Sequence, residues 1–127
     1  MFKIDSNKTI HITRGDVGII EFGILKEDKT SYHFEAGDIV RLGVFPKKDM
    51  NHIIFQKDYQ TVENDTTVDM ELTPEETKIG EIINKPVDYW YEIQLNPETD
   101  PQTIIGYDDE GPKVFRLYPE GIEEETE

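Results

Sequence analysis

The residues of this chain that could do chemistry are three histidines, twenty-eight carboxylates and one arginine-glycine-aspartate tripeptide. His11, His33 and His52 lie in three separate segments without ligand spacing, so no metal site is expected of them. Two carboxylates several ångströms apart across a cleft would hydrolyse a glycoside, and among twenty-eight acids such pairs arise by chance. Glu75 and Glu76 read better as first-turn charges at a helix N-terminus. Asp108-Asp109-Glu110 reads as a solvated hairpin tip, and it lacks the D-x-D-x-D-G spacing of a calcium loop. There is no cysteine and no G-x-S-x-G elbow, so no nucleophile and base pair is recognisable. The chain is expected to be no enzyme, with no catalytic residue, cofactor or metal.

Arg14-Gly15-Asp16, within ITRGDVGIIEF, spells an integrin adhesion signal. It falls between two apolar segments, where glycine supplies a permissive φ and aspartate can accept backbone N–H bonds. The same grammar recurs at Ala36-Gly37-Asp38-Ile39, again launching an apolar segment. Arg14, Gly15, Asp16, Gly37 and Asp38 are therefore read as structural turn residues.

The elements that would carry these groups are strands. Ile10 and Ile12 in TIHIT, Val40, Leu42 and Val44 in DIVRLGVF, and Val68, Met70 and Leu72 in TVDMEL alternate with other residues at period two, each describing one buried face. Residues 17–26, VGIIEFGILK, are apolar on both sides, which predicts a central strand or a bulge at Gly18 or Gly23. Residues 52–57, 88–95, 102–107 and 113–118 bring the count to about eight strands. Turn residues at Lys26-Glu27-Asp28-Lys29 and at Asp108-Asp109-Glu110-Gly111 suit hairpins. Only residues 74–83 could hold a helical turn, with Thr73 as cap and Gly80 as stop. The pattern predicts an all-β, antiparallel immunoglobulin-like sandwich of about 7–9 strands with at most one short helical turn, occupying residues 1–118 as a single domain.

DYWYEIQL places Tyr89, Tyr91, Ile93 and Leu95 on one face and Trp90 with Glu92 and Gln94 on the other. An inward Trp90 would pack between sheets. An outward one would anchor an assembly contact or stack on a sugar. Trp90, Tyr107, Phe2 and Ile4 are the candidate interface residues.

Charge narrows the partners. Twenty-eight acids face thirteen lysines and arginines, a net charge of −15, and without residues 119–127 there are still twenty-three acids against thirteen bases. Such a field repels phosphate backbones and anionic lipid, so neither nucleic acid nor membrane is an expected partner. Residues 119–127 are expected to be an acidic disordered tail. MFKIDSNKTI offers no apolar run for a secretory signal, so a soluble protein not exported through a signal peptide is expected.

The order of ITRGDVGIIEFGI, YHFEAGDIVRLGVF, LTPEETKIGEI, DYWYEIQL and QTIIGYDDEGPKVFRLYPEG resembles the amino-terminal immunoglobulin-like domain of phage baseplate upper proteins over residues 9–118. Pro74-Glu75-Glu76-Thr77 stands at that family's Pro-Glu-Asp-Thr-like corner, and Tyr89 to Leu95 in its tyrosine strand. The resemblance implies a non-enzymatic virion component, produced in the bacterial cytoplasm and located in tail, baseplate or head, that packs against copies of itself or other virion proteins as a homo-oligomer in the particle. Baseplate upper proteins continue into further segments, whereas this chain runs into an acidic stretch after one domain. The alternative from another class is a carbohydrate-binding β-sandwich module.

Overall fold

A computed structural model describes residues 1–47, 49 and 51–121, and the expected tail lies outside them from residue 122 onward. The described residues form nine strands and no helix: β1 Phe2–Ile4, β2 Ile10–Thr13, β3 Gly18–Gly23, β4 Ile39–Pro46, β5 Phe55–Gln60, β6 Thr67–Leu72, β7 Val87–Leu95, β8 Gln102–Ile105 and β9 Lys113–Tyr118. Seven make one sheet in the order β1-β2-β9-β7-β4-β5, with β8 on β7, and β3 pairs β6 in a second sheet.

The anchor strands bury the predicted faces. Val40, Leu42, Val44, Val68 and Met70 are fully buried, while Asp69 and Glu71 between them face solvent. Residues of both sheets share one core, where Ile20, Met70 and Leu72 meet Leu42, Ile93, Phe115 and Leu117. Burial of apolar side chains at about 1.5–3 kcal/mol each is what holds the two sheets together.

Three expectations are corrected. The sheet is not wholly antiparallel, because β2 runs parallel to β9 with His11 opposite Arg116. Residues 17–26 are not a central strand: among the described residues β3 pairs only β6, in unbroken register, while β1 pairs β2 in the other sheet. The outward side of this segment is exposed, with Val17, Ile19 and Leu25 in solvent. The strand expected at 52–57 begins at Phe55 and runs to Gln60, because its register is set by β4 through Val44–Phe55 and Ile39–Gln60.

The possible helical turn at 74–83 closes as turns without becoming a helix. Its capping box forms all the same: Thr73 N–H donates to Glu76 Oε1 at 2.9 Å and Glu76 N–H to Thr73 Oγ1 at 3.3 Å. Gly80, at φ 68°, ends the segment.

Candidate functional site

The two glycine-aspartate motifs adopt one conformation. Asp16 N–H donates to Thr13 O at 2.9 Å and Asp38 N–H to Glu35 O at 3.1 Å, closing four-residue turns whose third residues, Gly15 and Gly37, have φ of 89° and 88°. That is type II turn chemistry, in which the third position favours glycine. The aspartates do not cap the residues after them. Asp16 pairs with the Met1 amine, and Asp38 accepts from the preceding Glu35 N–H at 2.9 Å, from Tyr32 Oη at 2.8 Å and from Asn96 Nδ2 at 2.9 Å. Burial pushes the Asp38 carboxyl up, but the Asn96, Glu35 and Tyr32 bonds outweigh it and hold the group below its ordinary value. The Tyr32 phenol is pushed up to about 12 by burial and by its bond to Asp38.

Arg14 is only 6% exposed, so the tripeptide cannot present its cation to a receptor. Its guanidinium donates to Glu120 Oε1 at 3.0 Å and to Gly80 O at 3.1 Å. Glu120 had been assigned to the tail, but its half-buried carboxylate is tied to β2's end through this pair. The adjoining Gly15 N–H donates to Thr77 Oγ1 at 3.0 Å, and that hydroxyl donates on to Asp16 O at 2.8 Å. The Arg-Gly-Asp turn is thus clasped by the Pro74–Thr77 corner.

His11 was expected on an outward face, and it is there, yet buried. Its Nε2 lies 2.7 Å from Asp5 Oδ2 and its Nδ1 2.8 Å from Tyr118 Oη. A histidine between a carboxylate and a phenol resembles a catalytic relay, but with both nitrogens engaged none is left to face a substrate. His33 and His52 are exposed and far along the chain from it. Among the described residues, no group of three or more His, Asp or Glu is placed to hold a metal ion.

The outer face of the large sheet carries the remaining candidates. Tyr91 points inward, 2% exposed, with its hydroxyl on Lys8 O at 2.5 Å, and burial raises its pKa. Trp90 points outward and is half-buried. It stands in register between Phe45 and Val114, and Tyr107 meets it edge-on with ring centroids 6.2 Å apart at 76°. Phe45 is 6% exposed although it lies outside the main core, and its ring lies over Gly43, whose position would bring a Cβ to 3.3 Å. Phe45, Trp90, Val114 and Tyr107 therefore make a second apolar cluster, drawn from β4, β7, β9 and the loop after β8.

Charged groups rim this cluster. Arg116 binds Asp88 through both carboxylate oxygens at 2.6 and 3.1 Å, and Arg41 binds Asp58 at 2.6 and 3.0 Å while reaching Glu98 at 2.9 Å. Glu92, beside Trp90 on the same face, has its carboxyl raised by burial. Gly106 is required there, since a Cβ would come within 2.7 Å of Thr103 Cγ2 and 3.2 Å of Glu92 Cγ. The outer face thus has an apolar aromatic patch with the Arg116–Asp88 pair beside it and the Arg41–Asp58–Glu98 group further along the sheet.

The other two interface candidates are engaged differently. Phe2 packs within the chain, over Gly18 and against the core, whereas Ile4 is 39% exposed on β1. The Phe45 layer was missed in the sequence, where its only signal was one aromatic at an outward position of an otherwise clean alternation. No protein-family signature, curated protein or solved structure matches the chain.

Proposed function

We propose that this chain is a non-enzymatic structural or adaptor subunit of a phage or prophage virion, an immunoglobulin-like sandwich that works by surface complementarity. The observation that carries this reading is the Trp90–Tyr107 pair, with Tyr107 61% exposed, on the outer face of an otherwise acidic protein. Supporting it is the order β9-β7-β4-β5 in one sheet with β3-β6 in the other. Variable-type immunoglobulin domains place strands G, F, C and C′ beside one another and B beside E in the same way. The motif order across residues 9–118 adds the virion context. Copies of the chain or other virion proteins would cover the Trp90 face, and the negative field would steer a basic partner.

Two measurements test it together. Light scattering over a concentration series should show a closed oligomer that Trp90→Ala dissociates, and mass spectrometry should find the chain in purified particles from its source. A chain present in the lysate but missing from the particles sinks the virion reading. A monomer with unchanged behaviour in Trp90→Ala sinks self-assembly through this face.

One observation favours glycan binding as a second reading. The exposed Tyr107 borders a depression of about 370 Å³ whose polar walls include Asn7, Lys8, Thr103 and Glu110. A glycan array scored against Tyr107→Ala decides it: sugar binding lost with the ring supports the module, and an empty array removes it.

A further inference from the structure

The second sheet is incomplete on one side. Gly18–Gly23 pair with Thr67–Leu72 along one edge, and among the described residues no strand pairs with the other. Folded proteins normally blunt such an edge, with lysine or proline on the strand, a bulge that twists it away, or a covering loop. β3 has none of the first three: its sequence is GIIEFG and its register is unbroken.

What lies beside it is a slot. Phe22, Ile24 and Leu25 form one wall, Thr103 and Ile104 of β8 form the other, and the space between them is about 430 Å³. Among the described residues β8 pairs only β7. The slot therefore lies between the C-terminal end of β3, with the two residues that follow it, and β8 of the other sheet.

The outward side of β3 says what could fill it. Val17, Ile19 and Leu25 are 48%, 47% and 63% exposed, an apolar row at period two. Acids interrupt it: Glu21 stands directly opposite Asp69, and Ile19 opposite Glu71. An extended segment laid against this edge would set its outward residues beside Glu21 of β3, with Asp69 and Glu71 one strand further on, and turn its alternate residues toward the slot. Glu21 and the acidic β6 behind it call for basic residues on one side and the slot for apolar ones on the other. Lys8 lies on the slot wall, so basic residues would be disfavoured on the inward side. A second copy of this chain, at net charge −15, would bring acids to acids.

We propose that the open edge of β3 takes an extended segment of a partner protein in which apolar and basic residues alternate, adding a third strand to the β3–β6 sheet. The inference deepens the assembly reading and rests on it for the partner being a protein; it does not involve the Trp90 face.

The probe is a short capped peptide alternating valine and lysine, with a valine–glutamate peptide and a proline-interrupted valine–lysine peptide as controls. Amide hydrogen exchange and amide chemical shifts of the whole chain are the readouts. The valine–lysine peptide should slow exchange in Ile19–Gly23 and shift those amides, and neither control should. The Glu21→Lys/Asp69→Lys double variant, altered only at exposed positions, should weaken the peptide about tenfold or more. Shifts confined to β5 or to the Trp90 face, equal binding of the proline peptide, or no binding overturn the proposal. Protection of β3 that grows with protein concentration alone also overturns it, in favour of a second copy. Because Trp90→Ala leaves this edge intact, failure of the virion reading and failure of the β3 proposal appear in different experiments.

Discussion

Thr77 accepts the N–H of Gly15 at 3.0 Å and donates to the carbonyl of Asp16 at 2.8 Å, while being itself 1% exposed. One hydroxyl thereby satisfies both a donor and an acceptor of a turn sixty-odd residues earlier in the chain. Thr77→Val keeps the shape and removes both bonds, leaving the half-buried Gly15 N–H and Asp16 carbonyl without this partner. It should cost about 1–3 kcal/mol in urea unfolding, and Thr77→Ser should recover most of it. A valine variant as stable as the parent would show that water replaces the clasp.

Within the tripeptide, the arginine should matter more than the aspartate. Arg14 and Glu120 are nearly buried, and removing one partner strands the other's charge, so Arg14→Ala should cost roughly 3–5 kcal/mol. Asp16 and the Met1 amine are both well exposed, so Asp16→Ala should cost no more than about 1 kcal/mol. Chemical denaturation of the two variants orders them. Neither should change cell adhesion, because the arginine is inside.

Two carboxyls should give the protein opposite pH responses. Asp38 titrates below its ordinary value of 3.8, so the unfolded chain takes up the proton first as pH falls. Its contribution is complete above roughly pH 5 and is lost as pH drops through 3.8 and beyond, and Asp38→Asn should flatten that acid limb. Glu92 titrates above its ordinary 4.5, so its contribution is present below that value and lost as pH rises through the folded value. Glu92→Gln should therefore stabilise the protein near pH 7 and leave it unchanged at acid pH, as thermal melts at the two pH values would show.

Glu21 faces Asp69 directly across the β3–β6 ladder. Like charges in that position are unfavourable, so Glu21→Lys should stabilise the free protein by about 0.2–1 kcal/mol. Calorimetry of the single variant, and of the pair with Asp69→Ala to cancel the new attraction, isolates the term.

Period two made β2, β4 and β6 legible, because each has one face in the core: Val68, Met70 and Leu72 are buried and the residues between them are not. It says nothing about which strand lies alongside, so the parallel β2–β9 pair and the free edge of β3 had no signature. A strand apolar on both faces reads the same at a sheet's centre as beside an empty slot. The turns were legible from glycine, since Gly15 and Gly37 both need positive φ. Their partners were not, because Thr77 and Asn96 approach from distant segments. Trp90 could not be placed from its own strand, where large residues alternate on both sides. Its direction follows from Phe45, Val114 and Tyr107, which only the assembled sheet brings to it.

The parallel pairing also sets a timetable. His11 and Tyr118, joined by a 2.8 Å hydrogen bond, are 107 positions apart, and β9 is the strand that β2 shares with β7. During synthesis, then, β2 has no sheet partner but β1 until the ribosome has released β9, while β3, β4, β5 and β6 are already out and free to pair. Closure of the large sheet is a late, non-local event, which places this chain among slow-folding topologies. For that interval the nascent N-terminal segment exposes Ile10 and Ile12, both destined for the core, to whatever holds unfinished chains in the cell.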